Sequence, residues 1–394
     1  MIFFNDKNAF GILVFFVIVL IAVVFVAIFI FNSTALFSLN FNSTNTPVES
    51  IKLGVIIPLS GAMSYYGDYV PKGMALALDE INSSGGVRGQ KLELVFEDSV
   101  GGAQAGVNAY NKLSAINDIN YYIAQVSDVI LGIAPIAEKE KKILVAMGSA
   151  ATKISSAGDY IFRHNLLPLD ETKKLADFIY NKKGIKEIAV LAVNAEAGVS
   201  YSSALKQTYE ALDGKVISNE FYEKSGKDYK SVLLKLKSSG VQAVFAASYP
   251  VELGQILKQA KELDLNVQWF SMYSIEIPAL LEIAGPSAEG LNYTHFYDVD
   301  SNSLKLKNFV NKYLSAYGVK PEYNAALAYD TVHVLAKAMS HCENPEDTVC
   351  VKDELYKIHD FSGITGAISF DENGDTRKEV FIKTVKDGKF VKLG

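Results

Sequence analysis

Two kinds of segment alternate along the chain. Short, continuous apolar runs are followed by longer stretches in which apolar residues recur every three or four positions. The first pattern is typical of strands that are buried on both faces, and the second of helices with one buried face. This alternation predicts an α/β protein in which helices cover parallel sheets.

The alternation forms two successive series. In the first, strands are predicted at 51–58, 91–96, 120–126 and 143–147, a loop at 60–67, and helices at 71–81, 103–116 and 128–141. In the second, helices are predicted at 170–181, 200–212, 229–238 and 251–263, and strands at 187–193, 215–221, 241–247 and 267–270. Helices at 303–317 and 324–340 and a hairpin-like tail from residue 366 follow. We therefore predict two doubly wound parallel-sheet lobes, with a ligand cleft at the carboxyl ends of their strands.

The N-terminal region has a different character. Residues 9–31 carry no charge and are rich in Phe, Ile and Val, and as a helix they would reach about 34 Å. This length predicts an uncleaved transmembrane anchor; the alternative is a removed signal peptide, whose apolar part is usually only about 7–15 residues. Residues 32–50 are rich in Asn, Ser and Thr and are predicted to be a flexible tether. We expect the folded part on the extracytoplasmic face of the cell membrane.

Composition and charge narrow the possible functions. The chain has 394 residues. About 345 of them follow the N-terminal region, enough for a little over two domains. A hydrophobic content of 49% excludes wholesale disorder. The 38 basic residues are outnumbered by 44 acidic ones, so no basic excess favours a nucleic-acid partner.

Two cysteines flank a polar, turn-rich segment. For an exported protein, a local disulfide between Cys342 and Cys350 is the leading interpretation. A metal site formed by these cysteines and His341 is the alternative, although no CxxC or HxxH spacing supports it. We expect no metal.

No motif for catalysis is present. The five histidines lie far apart and form no HExxH spacing, and the chain contains no GxSxG, Walker A or GxGxxG sequence. We therefore expect no enzymatic activity and no cofactor. An exported hydrolase with a scattered triad is the alternative, because triads are defined by geometry rather than by sequence.

Several segments resemble a known family, the branched-chain amino-acid (Leu/Ile/Val) binding proteins of ABC importers, which have the type I periplasmic-binding fold. The likeness is carried by IKLGVIIPLSGAMSYYG, DEINSSGGVRGQKLELVFEDS, ILVAMGSAAT, YPVELGQILKQAKELDL and IAGPSAEGL, and it extends from residue 51 to the end. The resemblance implies a two-lobed clamshell whose chain crosses near residues 167, 296 and 375. Lobe 1 would then comprise 51–167 and 297–374, and lobe 2 would comprise 168–296 and 375–394.

The resemblance implies a carboxylate site in lobe 1. Its matching residues are Ser127 after the third strand, and Ala150, Ala151 and Thr152 after the fourth. Hydroxyls and backbone N–H groups at helix N-termini can hold an anion without a buried cation. Ser127 could instead be a plain helix N-cap, and Thr152 a loop hydroxyl.

Aromatic residues are expected to line the same cleft. Tyr66 matches the family's aromatic from the first loop, with Tyr65 as the competing candidate, and Tyr249 matches one that closes over the ligand from lobe 2. Pro250 is expected in the first turn of the following helix. Either tyrosine could be structural, since the chain holds 21 of them.

Lobe 2 departs from the family in two places. Tyr273 occupies the position where amino-acid binders of the family place a Glu for the ligand ammonium, and Glu276 lies three residues further on. Ala197 stands where the family often has Tyr, and Tyr201, one helical turn on, could substitute. A buried ammonium without a carboxylate is costly, which favours an organic or aromatic acid as ligand unless Glu276 turns into the cleft.

The resemblance implies a monomeric, extracytoplasmic solute-binding protein that delivers a small carboxylate-bearing solute, an amino acid or a related acid, to ABC permease subunits. Closure would occur because the ligand contacts both lobes only in the closed form. The alternative function is the ectodomain of a sensory system that acts through a partner, because a fold does not fix a function.

Overall fold

The structure is a computed structural model that describes residues 50–116 and 119–393. The predicted anchor at 9–31 and the predicted tether, up to residue 49, lie outside the described residues. In the part that is described, no helix combines the length and the apolar character needed to cross a bilayer.

The first sheet has five parallel strands, in the spatial order β2-β1-β3-β4-β5. Its strands are β1 (Ile51–Ile57), β2 (Leu92–Asp98), β3 (Tyr121–Ala124), β4 (Ile143–Met147) and β5 (Ile161–His164). The central strands β3 and β4 are buried throughout, as expected for a parallel sheet with helices on both faces.

The second sheet has seven strands, in the order β14-β13-β10-β9-β8-β6-β7. Five are parallel: β6 (Glu187–Val193), β7 (Lys215–Tyr222), β8 (Ala243–Ala247), β9 (Gln268–Ser271) and β10 (Asn292–His295). Two antiparallel strands from the C-terminal region complete it, β13 (Phe381–Lys386) and β14 (Lys389–Lys392). The predicted tail hairpin is therefore part of this sheet. A separate small hairpin pairs β11 (Phe361–Gly363) with β12 (Gly366–Ile368).

Eleven α-helices connect and cover these strands within the described residues. They are α1 (Tyr65–Ser83), α2 (Ala103–Ile116), α3 (Ser127–Glu140), α4 (Pro168–Asp177), α5 (Glu196–Glu210), α6 (Lys230–Ser238), α7 (Pro250–Glu262), α8 (Pro278–Ala284), α9 (Leu304–Tyr317), α10 (Tyr323–His341) and α11 (Thr348–Tyr356). We call the first sheet with its helices the first lobe, and the second sheet with its helices the second lobe. The α/β alternation that the sequence predicts is confirmed.

Helix α10 lies at the centre of the first lobe. It is buried along most of its length and packs against α1. A side-chain carbon at Gly73 of α1 would lie 2.1 Å from the carbonyl oxygen of Ala325, so this contact requires a glycine. The chain after residue 296 thus returns to the first lobe and contributes to its core.

Helix α1 begins earlier than the sequence predicts. The expected loop at 60–67 and helix start at Pro71 are wrong: a short 3₁₀ turn spans Gly61–Met63, and α1 starts at Tyr65 and continues through Pro71. Proline inside a helix removes one backbone hydrogen bond. The burial of Tyr66 and Val70 compensates, because both side chains pack in the core of the first lobe.

Two segments run side by side where the chain passes between the lobes. The N–H of Arg163 donates to the carbonyl of Gly374 at 2.7 Å, and the N–H of Thr376 donates to the carbonyl of Arg163 at 3.1 Å. The Thr376 hydroxyl also accepts from the Asn165 N–H and donates to the Asn165 carbonyl. These contacts lie close to two of the three predicted crossings; the exact lobe boundaries stay a prediction.

Arg163 and Asp375 form a buried ion pair at this crossing. The Arg163 Nε and Asp375 Oδ1 atoms are 2.8 Å apart, and the side chains are 0% and 3% exposed. Burial lowers the pKa of Arg163 and raises the pKa of Asp375, while the mutual attraction opposes both shifts. Each charge therefore depends on the other for its stability in the fold.

The cysteines form the disulfide Cys342–Cys350 between the end of α10 and the start of α11. The neighbouring His341 ring hydrogen-bonds the carbonyl of Lys337. Among the described residues, no group of three or more His, Cys, Asp or Glu side chains is arranged to hold a metal ion.

We predict that Asp375→Ala lowers the free energy of unfolding by about 3–5 kcal/mol, because it leaves the Arg163 guanidinium buried without its counter-charge. Thermal and denaturant unfolding of the variant and the parent protein measure this loss.

The matched control is Arg377→Ala. Arg377 lies two residues further along, and it forms an ion pair with Asp170 although its side chain is 64% exposed. Its removal should cost less than about 1 kcal/mol. Equal losses for the two variants would contradict a special role for the buried pair.

Candidate functional site

A cradle of polar groups lies at the carboxyl ends of β3 and β4. Ser127 is the first residue of α3, is buried, and accepts hydrogen bonds through Oγ from the N–H groups of Ala150 and Ala151, at 3.2 and 3.1 Å. The N-cap of α3 is Val126, so Ser127 does not cap its own helix. Val126 has φ +76°, a conformation that is strained for a β-branched residue. This turn aims the Ser127 hydroxyl at the loop after β4.

The second lobe reaches the cradle through two hydrogen bonds. The N–H of Thr152 donates to Oγ of Ser200 on α5 at 3.0 Å, while the Thr152 side chain is exposed. The hydroxyl of Tyr273, which follows β9, donates to the carbonyl of Gly148 at 3.2 Å. The carboxyl edges of the two sheets therefore face each other across one cleft.

Tyrosines fill the space beside the cradle. Tyr66 of α1, Tyr249 before α7, Tyr273 and Tyr323 of α10 are all buried, and the rings of Tyr273 and Tyr323 pack edge to face with centroids 5.3 Å apart. Burial raises the pKa of Tyr66 to about 12. Burial also raises the pKa of Tyr323, and the nearby phenols of Tyr66 and Tyr273 raise it further. The ring of Tyr65 is tilted against that of Tyr66, with centroids 4.4 Å apart. We call these five residues the tyrosine cluster.

A buried carboxylate lies behind the cluster in the second lobe. Glu171, in the first turn of α4, is 1% exposed. Its Oε1 accepts from the N–H of Tyr273 at 2.9 Å and from the Thr294 hydroxyl, and its Oε2 accepts from the Tyr201 hydroxyl. Burial raises the pKa of Glu171 to about 7, although these three hydrogen bonds act in the opposite direction. Tyr201 and Tyr273 are thus held by one carboxyl group.

Glu276 faces away from this group. Its Oε1 lies 2.5 Å from Nζ of Lys383, and its Oε2 accepts from the Tyr293 hydroxyl at 2.6 Å and lies 3.7 Å from Nε2 of His295. The Lys383 ammonium neutralises this carboxylate within the second lobe. Turning Glu276 into the cleft would leave Lys383 buried without its partner.

Charged residues pair across the rim of the cleft. Lys153 of the first lobe lies 2.8 Å from Glu196 of α5. Lys224 of the second lobe donates to the carbonyl of Gly101 at 2.6 Å and lies 3.7 Å from Asp128. Because these groups are partly exposed, each pair contributes little to stability, but together they favour the closed arrangement.

A cleft between two parallel-sheet lobes, with N–H groups and hydroxyls at one wall and aromatic rings at the other, suits a small anionic solute. A sequence profile of the family described as periplasmic binding protein matches residues 50–389. The chain belongs to this family. It is a solute-binding protein of the type that serves ABC transporters, as the sequence predicts.

Relatives of known description support this membership. The chain is 28% identical, over 86% of its length and 90% of the relative's, to a leucine-, isoleucine-, valine-, threonine- and alanine-binding protein of Pseudomonas aeruginosa. A crystal structure of a leucine-binding protein from Thermotoga maritima superposes with a TM-score of 0.82 at 28% identity, covering 87% of this chain and 98% of that one. A Rhodopseudomonas palustris solute-binding protein in complex with benzoate shares the fold, with a TM-score of 0.79 at 18% identity, covering 88% and 96% of the two chains.

The structure brings most of the predicted binding residues together. Ser127, Ala150 and Ala151 form the cradle, Thr152 borders it, and Tyr66, Tyr249 and Tyr273 belong to the tyrosine cluster. Tyr201 joins them through the carboxyl group behind the cluster, whereas Glu276 does not. Whether each of them contacts solute stays a prediction.

Sequence reasoning missed three residues of this region, Glu171, Ser200 and Tyr323. The sequence does contain an indication for Glu171. It precedes Leu175 and Ile179 at intervals of four residues, so it lies on the same, buried face of the helix. A carboxylate on the apolar stripe of a helix is unusual and points to a buried partner.

We predict that Glu171→Gln removes a pH dependence of stability. The pKa of Glu171 is about 7 in the folded protein and near 4.5 in the unfolded chain. At pH values between these two, folding is therefore accompanied by the uptake of a proton. The stabilising protonated form is fully present below pH 4.5, and stability is lost as the pH rises through 7. The variant does not titrate there, so the parent should lose stability relative to it between pH 5 and 8, by a few kcal/mol at most.

Chemical denaturation at closely spaced pH values measures this difference. The control is Glu196→Gln, which removes a partly exposed carboxylate at the rim. A difference between the parent and Glu171→Gln that is constant across the pH range would contradict the elevated pKa.

Proposed function

We propose that the chain is a membrane-anchored, monomeric receptor that closes around a small carboxylate-bearing solute and delivers it to the permease subunits of an ABC importer. The observation that carries the proposal is the cradle of Ser127, Ala150 and Ala151, bordered by Thr152, opposite the tyrosine cluster. Backbone N–H groups and a hydroxyl near the start of a helix stabilise a carboxylate through hydrogen bonds and the helix dipole. Aromatic rings provide a closing apolar wall.

Other evidence supports the wider role. The relatives named above are described as binding proteins for amino acids or for benzoate, or as components of transporters, which favours transport over sensing. The uncharged segment at 9–31 would keep the receptor at the extracytoplasmic face of the membrane. Delivery to a permease requires a receptor that opens again, and the weak charge pairs at the rim allow this.

The expected measurement is calorimetric binding of leucine, of 4-methylpentanoate, which lacks its amino group, and of leucinol, which lacks its carboxylate, to the full-length protein. A carboxylate-dependent site binds at least one of the two acids and does not bind leucinol. Ser127→Ala should weaken binding of that acid about tenfold, because one charge-assisted hydrogen bond is lost.

Ser239→Ala is the matched control, since the Ser239 hydroxyl only bonds the carbonyl of Leu236 at the end of α6. Binding of leucinol as tight as binding of leucine would overturn the carboxylate site. A failure of both acids and of benzoate would overturn the solute class.

The same titrations show whether the site also recognises an ammonium group on the solute. An ammonium group beside Glu171 favours its ionised form, so binding of leucine should release about half a proton near pH 7, whereas 4-methylpentanoate should release none. Proton release is measured by repeating the titration in buffers of different ionisation heat.

Two variants assign the released proton. Glu171→Gln should abolish the release, whereas Glu276→Gln should retain it, because Glu276 is already paired with Lys383. Glu322, which caps α10 and whose pKa burial raises to about 8, is the competing source. If proton release on leucine binding persists in Glu171→Gln and disappears in Glu322→Gln, the released proton comes from Glu322 and not from Glu171.

A further inference from the structure

A small cavity lies between the lobes and borders the tyrosine cluster. It measures about 150 Å³. The first lobe contributes Ala62, Met63 and Tyr65, and the second lobe contributes Tyr249, Val251, Glu252, Gln255 and the loop 225–227. Because Tyr65 and Tyr249 belong to the tyrosine cluster, the cavity adjoins the proposed solute site. Its volume suits the end of a small solute and not a second large ligand.

Two buried polar atoms in its lining have no hydrogen-bond partner of good geometry among the described residues. They are the hydroxyl of Tyr65 and Oε1 of Gln255. Such atoms are rare in folded proteins, and each carries a cost that a bound group can remove. Burial raises the pKa of Tyr65 well above its usual value, so this phenol remains a donor at neutral pH.

Among the other polar side chains of the lining, Ser225 and Lys227 are exposed, and Glu252 is already engaged. Glu252 is 6% exposed, and its oxygens accept from the N–H of Ser225 at 2.6 Å and from the Tyr222 hydroxyl at 3.3 Å. The buried polar atoms of the lining that are left without a partner are therefore one hydroxyl donor from the first lobe and one amide acceptor from the second. A hydroxyl group matches this pair, because it accepts one hydrogen bond and donates another.

We propose that this cavity is a specificity subsite for a hydroxyl group at the end of the solute that is distant from its carboxylate. The inference rests on the proposed function, since it assigns one end of the same solute. Tyr65 and Gln255 come from opposite lobes, so a hydroxyl that joins them also favours the closed form. A methyl group of the same size leaves both atoms unpaired.

The test compares solutes that differ only by methyl and hydroxyl. Dissociation constants are measured by calorimetry on the full-length protein for norvaline against homoserine, and for 4-methylbenzoate against 4-hydroxybenzoate. In at least one pair, the hydroxyl compound should bind about tenfold more tightly than its methyl counterpart.

Two variants carry the decisive readout. Tyr65→Phe and Gln255→Met each remove one polar group and keep an apolar surface of similar size. Each should weaken binding of the hydroxyl compound and strengthen binding of the methyl compound. The ratio of the two dissociation constants should therefore approach one. A loss of folding would weaken both compounds together and cannot imitate opposite changes.

Tyr69→Phe is the matched control, because Tyr69 lies on the same helix and is not part of the cavity lining. Equal affinities within both pairs, or a preference that survives in both variants, would overturn the subsite while leaving the carboxylate site intact. If none of the four carboxylates nor leucine binds, the proposed function fails and the subsite falls with it.

Discussion

The ion pair between Arg163 and Asp375 fixes the point at which the chain passes between the lobes. Its atoms are removed from water, and the backbone around it pairs as two short parallel segments, 163–165 and 374–376. Nη2 of the same guanidinium donates to the Ser155 hydroxyl at 2.7 Å. Unpaired, either charge would be costly in this environment, so the two segments stay together. The carboxyl edges of both sheets can then face each other in a reproducible way.

The character of the cleft follows from that arrangement. Parallel strands end at the same edge, so the loops after β3 and β4 present N–H groups and hydroxyls on one side. The loops after β8 and β9 present Tyr249 and Tyr273 on the other. Burial disfavours the charged form of two carboxyl groups here, and it raises the pKa of Glu171 to about 7 and that of Glu322 to about 8. At neutral pH these two carboxyl groups are therefore close to the point at which each gains or loses a proton.

Some local signals in the sequence placed residues correctly, and others did not. The likeness around ILVAMGSAAT located the cradle, because short loops after parallel strands have little freedom to move elsewhere. The start of α1 was misplaced because Pro71 is a strong local signal for a helix start, and the core contacts of Tyr66 and Val70 outweigh it. The sequence offered Glu276 as the carboxylate for a solute ammonium group, because it lies three residues after Tyr273. The carboxylate that actually meets Tyr273 comes from α4, about a hundred residues earlier.

The sequence by itself determined the α/β alternation and the two parallel-stranded sheets, because periodicity and short turn segments are local properties of the chain. The place of the proposed site came from the resemblance to a family of binding proteins. Only the tertiary structure decided which polar groups are paired. Glu276 is paired with Lys383, and Glu171 accepts hydrogen bonds from both Tyr201 and Tyr273. The Tyr65 hydroxyl and Oε1 of Gln255, two residues that line one cavity, have no hydrogen-bond partner of good geometry among the described residues. The physical reason is that hydrogen bonds and ion pairs between residues distant in sequence depend on distances of a few ångströms, and only the packing of the two lobes sets those distances.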